Sequence, residues 1–129
     1  MKQRDLSSRI STISILAILI SFLTPGISQA REEKALKQCS AGNPFEFSVD
    51  WERNRVDFDF DIERGTAFES WTIRIQRNES TLVQRRMTSD EDGDLSREFM
   101  RRGQLVQGET WNFLARSKSG NTCRATLRF

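Results

Sequence analysis

From Phe45 onward the chain repeats one device, a bulky apolar residue at every second position. Phe45, Phe47, Val49 and Trp51 form the first row, and Val56, Phe58, Phe60 and Ile62 the next. Trp71, Ile73 and Ile75 follow, then a less regular segment from Leu82 to Met87 and a fifth from Leu95 to Met100. Trp111, Phe113 and Ala115, and finally Cys123, Ala125, Leu127 and Phe129, complete the series. A period of two puts alternate side chains on one face of a strand, whereas a helix would scatter them around its circumference. The breaks "RNR", "RGTAF", "RNES", "SDEDGD", "RRGQLVQG" and "KSGN" carry turn chemistry. Short strands at this spacing predict an all-β, seven-stranded antiparallel sandwich. Only "REEKALKQ", Arg31 to Gln38, reads as helix. The predicted organisation is a helical lead-in over 31–43 and one β-sandwich domain over 44–129.

Residues 1–30 read as an address. Lys2, Arg4 and Arg9 precede the apolar run Ile13 to Leu23, and Ser28 and Ala30 fit small-residue cleavage after Ala30. That run is shorter than the ~20 residues a membrane helix needs. The expectation is a signal peptide and a secreted protein, extracellular or periplasmic, with no stable membrane association after cleavage. The two cysteines, Cys39 and Cys123, then predict a disulfide joining the first and last strands.

Cleavage also changes the charge. Of the 20 Lys+Arg and 18 Asp+Glu, 17 of each lie in residues 31–129, so the mature chain is neutral. Neutrality predicts no field for nucleic acid. Residues 31–70 are acidic on balance and 71–129 basic, which predicts acidic and basic strands facing one another.

The segment "LVQGETWNFLARSKSG", Leu105 to Gly120, resembles the corner that precedes the sixth strand of fibronectin type III domains. There Leu-x-Pro-Gly-Thr-x-Tyr leads into an alternating strand. Leu105 and Gly108 match, Gln107 stands for Pro and Trp111 for Tyr. The resemblance implies a fibronectin type III-like or immunoglobulin-like sandwich, with the Trp111 indole N–H taking the part of the tyrosine hydroxyl. It implies no function, because such folds host many.

Among candidate sites, "VDFDFDIE" places Asp57, Asp59 and Asp61 on one strand face. Side chains about 7 Å apart along a strand do not converge on a cation. The row is expected to be solvated and opposed by arginines such as Arg53 or Arg97. Asp90, Asp92 and Asp94 lie in a loop and are the candidate metal ligands. The EF-hand spacing fails, with Leu95 at the sixth position and Arg101 at the twelfth, and a plain turn is the competing reading. "NES", Asn78 to Ser80, matches a glycosylation acceptor on a predicted turn. Trp51, Trp71 and Trp111 are in phase with the buried rows and are expected in the core. Phe68, Met100, Leu105, Val106 and Leu114 are off the rows, and Phe68 and Leu114 are the candidate binding residues, side by side if the loop folds over.

The chain has no His and no Tyr. The commonest general base and the Ser–His pair are therefore missing, so the expectation is a non-enzyme without cofactors. The predicted role is an exported protein-binding module with an extracellular protein partner. The alternatives are a secreted inhibitor of a hydrolase, lysozyme or a protease, acting through "SDEDGDL" or "RRGQLVQG", and a carbohydrate-binding module with a solvent-facing Trp.

Overall fold

Eight strands follow one another in the computed structural model, which describes residues 31–129. They are β1 (Arg31–Gln38), β2 (Pro44–Glu52), β3 (Arg55–Ile62), β4 (Ser70–Arg77), β5 (Ser80–Thr88), β6 (Leu95–Arg102), β7 (Thr110–Ser117) and β8 (Thr122–Arg128). The predicted signal segment, residues 1–30, lies outside the described residues. Two antiparallel four-stranded sheets have the orders β1-β2-β3-β6 and β5-β4-β7-β8. No helix among the described residues is long and apolar enough to cross a membrane.

The expected helix at Arg31–Gln38 is instead β1, which raises the strand count from seven to eight. It pairs with β2 along its whole length, from Arg31 opposite Trp51 to Gln38 opposite Pro44. Glu, Lys, Ala and Leu favour helix only weakly, and an isolated helix this short is unstable. A complete backbone ladder against β2 outweighs that preference. The lead-in is thus part of the first sheet rather than a separate element.

The apolar rows meet between the sheets. Phe113 of β7 packs against Phe45, Phe47 and Phe60 of the first sheet, with centroids 5.8, 5.2 and 5.2 Å away. Trp111 meets Phe58 at 5.1 Å. Such pairs add roughly 0.5–1.5 kcal/mol each beyond the area they bury. Trp71 and Trp111 are fully buried as expected, while Trp51, opposite Arg31 at the β1 edge, is only partly so.

The two open sides of this pair of sheets are closed differently. At β1 and β8 the Cys39–Cys123 disulfide spans 84 positions, and the Ser40 N–H donates to the Thr122 carbonyl at 2.7 Å. At β5 and β6 the Arg101 guanidinium lies over Phe58 and donates to the Leu82 carbonyl at 3.1 Å, while Arg85 lies over Phe99. Arg97 and Arg101 sit in phase with the buried residues of β6. Charges at these positions also deter a further strand from adding to the edge.

Acidic and basic strands do not face one another across the molecule. Most inward positions are apolar, and the charges that remain on the outer faces are of opposite sign. The outer face of the first sheet holds Glu32, Glu46, Asp50, Glu52, Asp57, Asp59, Asp61 and Glu98 against Lys34, Arg55 and Arg102. The outer face of the second sheet holds Arg74, Arg86, Arg116, Arg124 and Arg128 and no carboxylate.

Candidate functional site

The β3 aspartates face acids rather than arginines. Asp57 is opposite Asp50, Asp61 is opposite Glu46, and Asp59 lies between Ser48 and Glu98. Arg97 is opposite Phe60 on the other side of the sheet, and Arg53 belongs to the β2–β3 turn. Relief is local: Arg55 pairs with Asp57 at 2.9 Å, Lys34 with Glu46 at 3.0 Å, and the Ser48 hydroxyl donates to the Asp59 carboxylate. Partial burial pushes the Asp61 carboxyl above its ordinary value, and Glu63, Asp94, Glu46 and Asp59 push it further. Burial likewise raises Asp50, aided by Glu32, Asp57, Glu52 and Asp59. Like charges directly opposite one another destabilise a sheet, so this face is strained electrostatically.

The β5–β6 loop brings the oxygens of Asp90, Asp92 and Asp94 within 4.8 Å of one another. Two of these carboxylates already hold backbone. One Asp90 oxygen accepts from the Asp92 and Asp94 N–H groups, both at 2.9 Å, and Asp94 accepts from the Arg64 N–H at 2.9 Å. These bonds are the geometry of an Asx turn.

Their consequence is a second loop fastened to the first. The β3–β4 loop, residues 63–69, and the β5–β6 loop, residues 89–94, are joined by further hydrogen bonds. Gly65 N–H donates to the Gly93 carbonyl at 2.9 Å, Phe68 N–H to Asp90 at 3.1 Å and Ser89 N–H to Glu69 at 2.9 Å. The buried Ser89 hydroxyl accepts from the Glu69 N–H at 2.9 Å and donates to the Thr66 carbonyl at 2.7 Å. The loops touch closely enough that a Cβ on Gly93 would sit 1.9 Å from the Gly65 carbonyl oxygen, with φ already at +78°. Glu69 is tied onward to the β7–β8 turn through the Ser119 N–H at 2.8 Å, and hydrogen bonding from Ser119 holds its carboxyl below the ordinary value.

This unit presents Phe68, whose residue is 70% exposed and whose φ is +54°. Left-handed backbone costs a bulky L-residue roughly 1–2 kcal/mol. An exposed ring held in that conformation bears the strain without gaining the stability that burial would give.

At the opposite end, the corner that leads from β6 into β7 is built around a carboxylate. Glu109, 7% exposed, accepts from Arg77 at 2.6 Å and from the Trp111 indole N–H at 3.3 Å. Arg77 also lies over the Trp111 ring and donates to the Gln104 carbonyl. Leu105 packs on the core, while Val106 and Met100 are exposed. Gly108 takes φ +91° and donates its N–H to the Phe129 carbonyl. The Asn78 side chain accepts from the Thr110 N–H at 3.1 Å, fastening the β4–β5 turn to this corner.

Leu114 does not join Phe68. It stands in the middle of β7 on the outer face of the second sheet, between Arg74 and Arg124. Comparison with protein-family models, curated proteins and solved structures finds no match for the chain.

Two of these features escaped the sequence reading. Arg77 and Glu109 are in phase with Ile73–Ile75 and with Trp111–Phe113, and that alternation was the available signal that both point inward. Phe68 carried no sign of its backbone, since neither Gly nor Asn marks the position.

Proposed function

We propose that this protein is an exported, non-catalytic binding module that captures an extracellular protein through Phe68. The carrying observation is the exposed, left-handed Phe68 on two loops fastened to each other. Anchors of this kind contribute most when they are aromatic and already ordered, because binding then immobilises little. An exposed aromatic ring held in a strained backbone conformation supports a task outside the chain, beside the bond its N–H gives to Asp90.

In fold terms the reading is a fibronectin type III-like sandwich. The order β2-β3-β6 opposite β4-β7-β8 parallels the A-B-E and C-F-G strands of immunoglobulin-type domains, with β1 added at one edge and β5 beside β4. The Trp111 N–H bond to Glu109 stands where the tyrosine corner has its hydroxyl. Export is supported by the Cys39–Cys123 bond, which persists in oxidising compartments.

The test separates stability from capture. Phe68→Gly relieves the left-handed strain, so its melting temperature should equal or exceed that of the natural chain. A partner retained from the extracellular fraction by the natural protein should be lost on Phe68→Gly, with affinity lower by at least tenfold. Equal capture by both proteins rejects the reading. The second reading, hydrolase inhibition, is favoured by the rigidity of the same loop pair, since inhibitor loops bind with little rearrangement. Inhibition of a lysozyme or protease panel that Phe68→Gly abolishes would select it.

A further inference from the structure

The outer face of the second sheet carries an arrangement that the Phe68 reading does not use. Every arginine on it has uncharged residues directly opposite: Thr72 lies between Arg86 and Arg116, and Leu114 lies between Arg74 and Arg124. The four arginines therefore follow one another diagonally, Arg86, Arg74, Arg116, Arg124, one from each strand. Diagonal neighbours on a sheet stand about 7–8 Å apart, and the line crosses four strands spaced ~4.8 Å. Arg128 adds a fifth cation on β8. All five are exposed, and none makes an ion pair or a side-chain hydrogen bond among the described residues.

We infer that this face binds an anionic polysaccharide laid across the strands. A line of guanidinium groups without a single interrupting carboxylate matches a linear polyanion, and each fork can take a carboxylate or sulfate bidentately. The groups between the arginines, such as Thr72, Gln84 and Thr122, offer hydroxyls and amides suited to sugar hydroxyls. Shallow depressions sharing Thr72 and Arg116 lie along the line. The face has no aromatic ring on which nucleic-acid bases could stack, and Leu114 is its one large apolar residue, too little for insertion into a bilayer. Net neutrality of residues 31–129 argued against any such field, but neutrality conceals it, because the compensating carboxylates are on the far sheet.

The test uses the oxidised protein at low salt with heparin fragments and polygalacturonate as probes. Both should bind, and affinity should fall as salt rises. Arg74→Gln with Arg116→Gln should weaken both by about 25-fold, at roughly fivefold per arginine. Arg53→Gln, on the β2–β3 turn, and Phe68→Gly should leave both unchanged. Absence of binding, or equal affinity in the double variant, overturns the inference. So does tighter binding to an oligothymidylate or to phosphatidylserine vesicles, which would reassign the face to another class of polyanion. Salt-sensitive self-association that heparin does not displace would instead assign it to the acidic face of a second copy.

Discussion

The two ends of the sheets are fastened by different chemistry. One end, where the 39–43, 63–69, 89–94 and 118–121 loops meet, is held by the disulfide and a mesh of many hydrogen bonds between loops. Asn121 alone joins Asn43 and the Ala41 N–H, at 2.9 Å each. The other end is centred on one buried carboxylate, Glu109, which serves Arg77 and Trp111 together, beside backbone bonds such as that of Gly108 to Phe129. Many weak bonds make a redundant surface on which a strained residue such as Phe68 can be held. A single charged centre has no redundancy, and its loss is felt by everything attached.

The largest expected difference comes from the covalent link. Replacing both cysteines by Ser should lower stability by about 4–5 kcal/mol in denaturant unfolding, given the length of loop closed. Hydrogen exchange should then rise first in β1 and β8, and equal protection in both forms would show that the hydrogen-bonded mesh suffices alone. Next, Glu109→Ala leaves the Arg77 guanidinium without its carboxylate and the Trp111 N–H without a partner, and should cost about 3–5 kcal/mol. Restoration of most of that loss by adding Arg77→Met would attribute it to the stranded charge. Ser89→Ala removes one member of the mesh and should cost about 1–3 kcal/mol, because it strands the Glu69 N–H and the Thr66 carbonyl. A loss as large as that of Glu109→Ala would erase the contrast between the ends.

The smallest effect is a pH dependence on the acidic face. Asp61 titrates above its ordinary value in the folded protein, so the folded chain holds its proton more tightly than the unfolded one. The contribution to stability is therefore unfavourable at neutral pH and is relieved as pH falls through the folded value. Asp61→Asn should raise stability at pH 7 by a few tenths of a kcal/mol, and the gain should vanish on acidification. A gain that persists at low pH would assign it to packing instead.

Much of this was legible from alternation alone. The seven apolar rows are β2 to β8, the cysteines pair as spacing and compartment suggested, and Trp71 and Trp111 lie in the core. The misreading of β1 came from residues that favour helix locally but meet a waiting edge. The facing of Asp57 and Asp61 by Asp50 and Glu46 belongs to the β2–β3 hairpin and was within reach of the sequence. That of Asp59 by Glu98 was not, because it depends on β3 pairing with β6, thirty-odd positions away across two crossings between sheets. Phe68 is off the rows in the sequence and exposed in the structure. Its backbone conformation was hidden, since it accompanies a bond from its N–H to the Asp90 carbonyl and is not marked by its own residue type.

The separation of charge by face gives the molecule a large electric dipole. Five cations on one exterior and a net excess of five carboxylates on the other, with sheets ~10 Å apart and side chains reaching beyond them, amount to a moment on the order of several hundred debye. Such a body drifts little in a uniform field but turns to align with it. The same protein would be retained at low salt on both cation- and anion-exchange resins, each time by a different side.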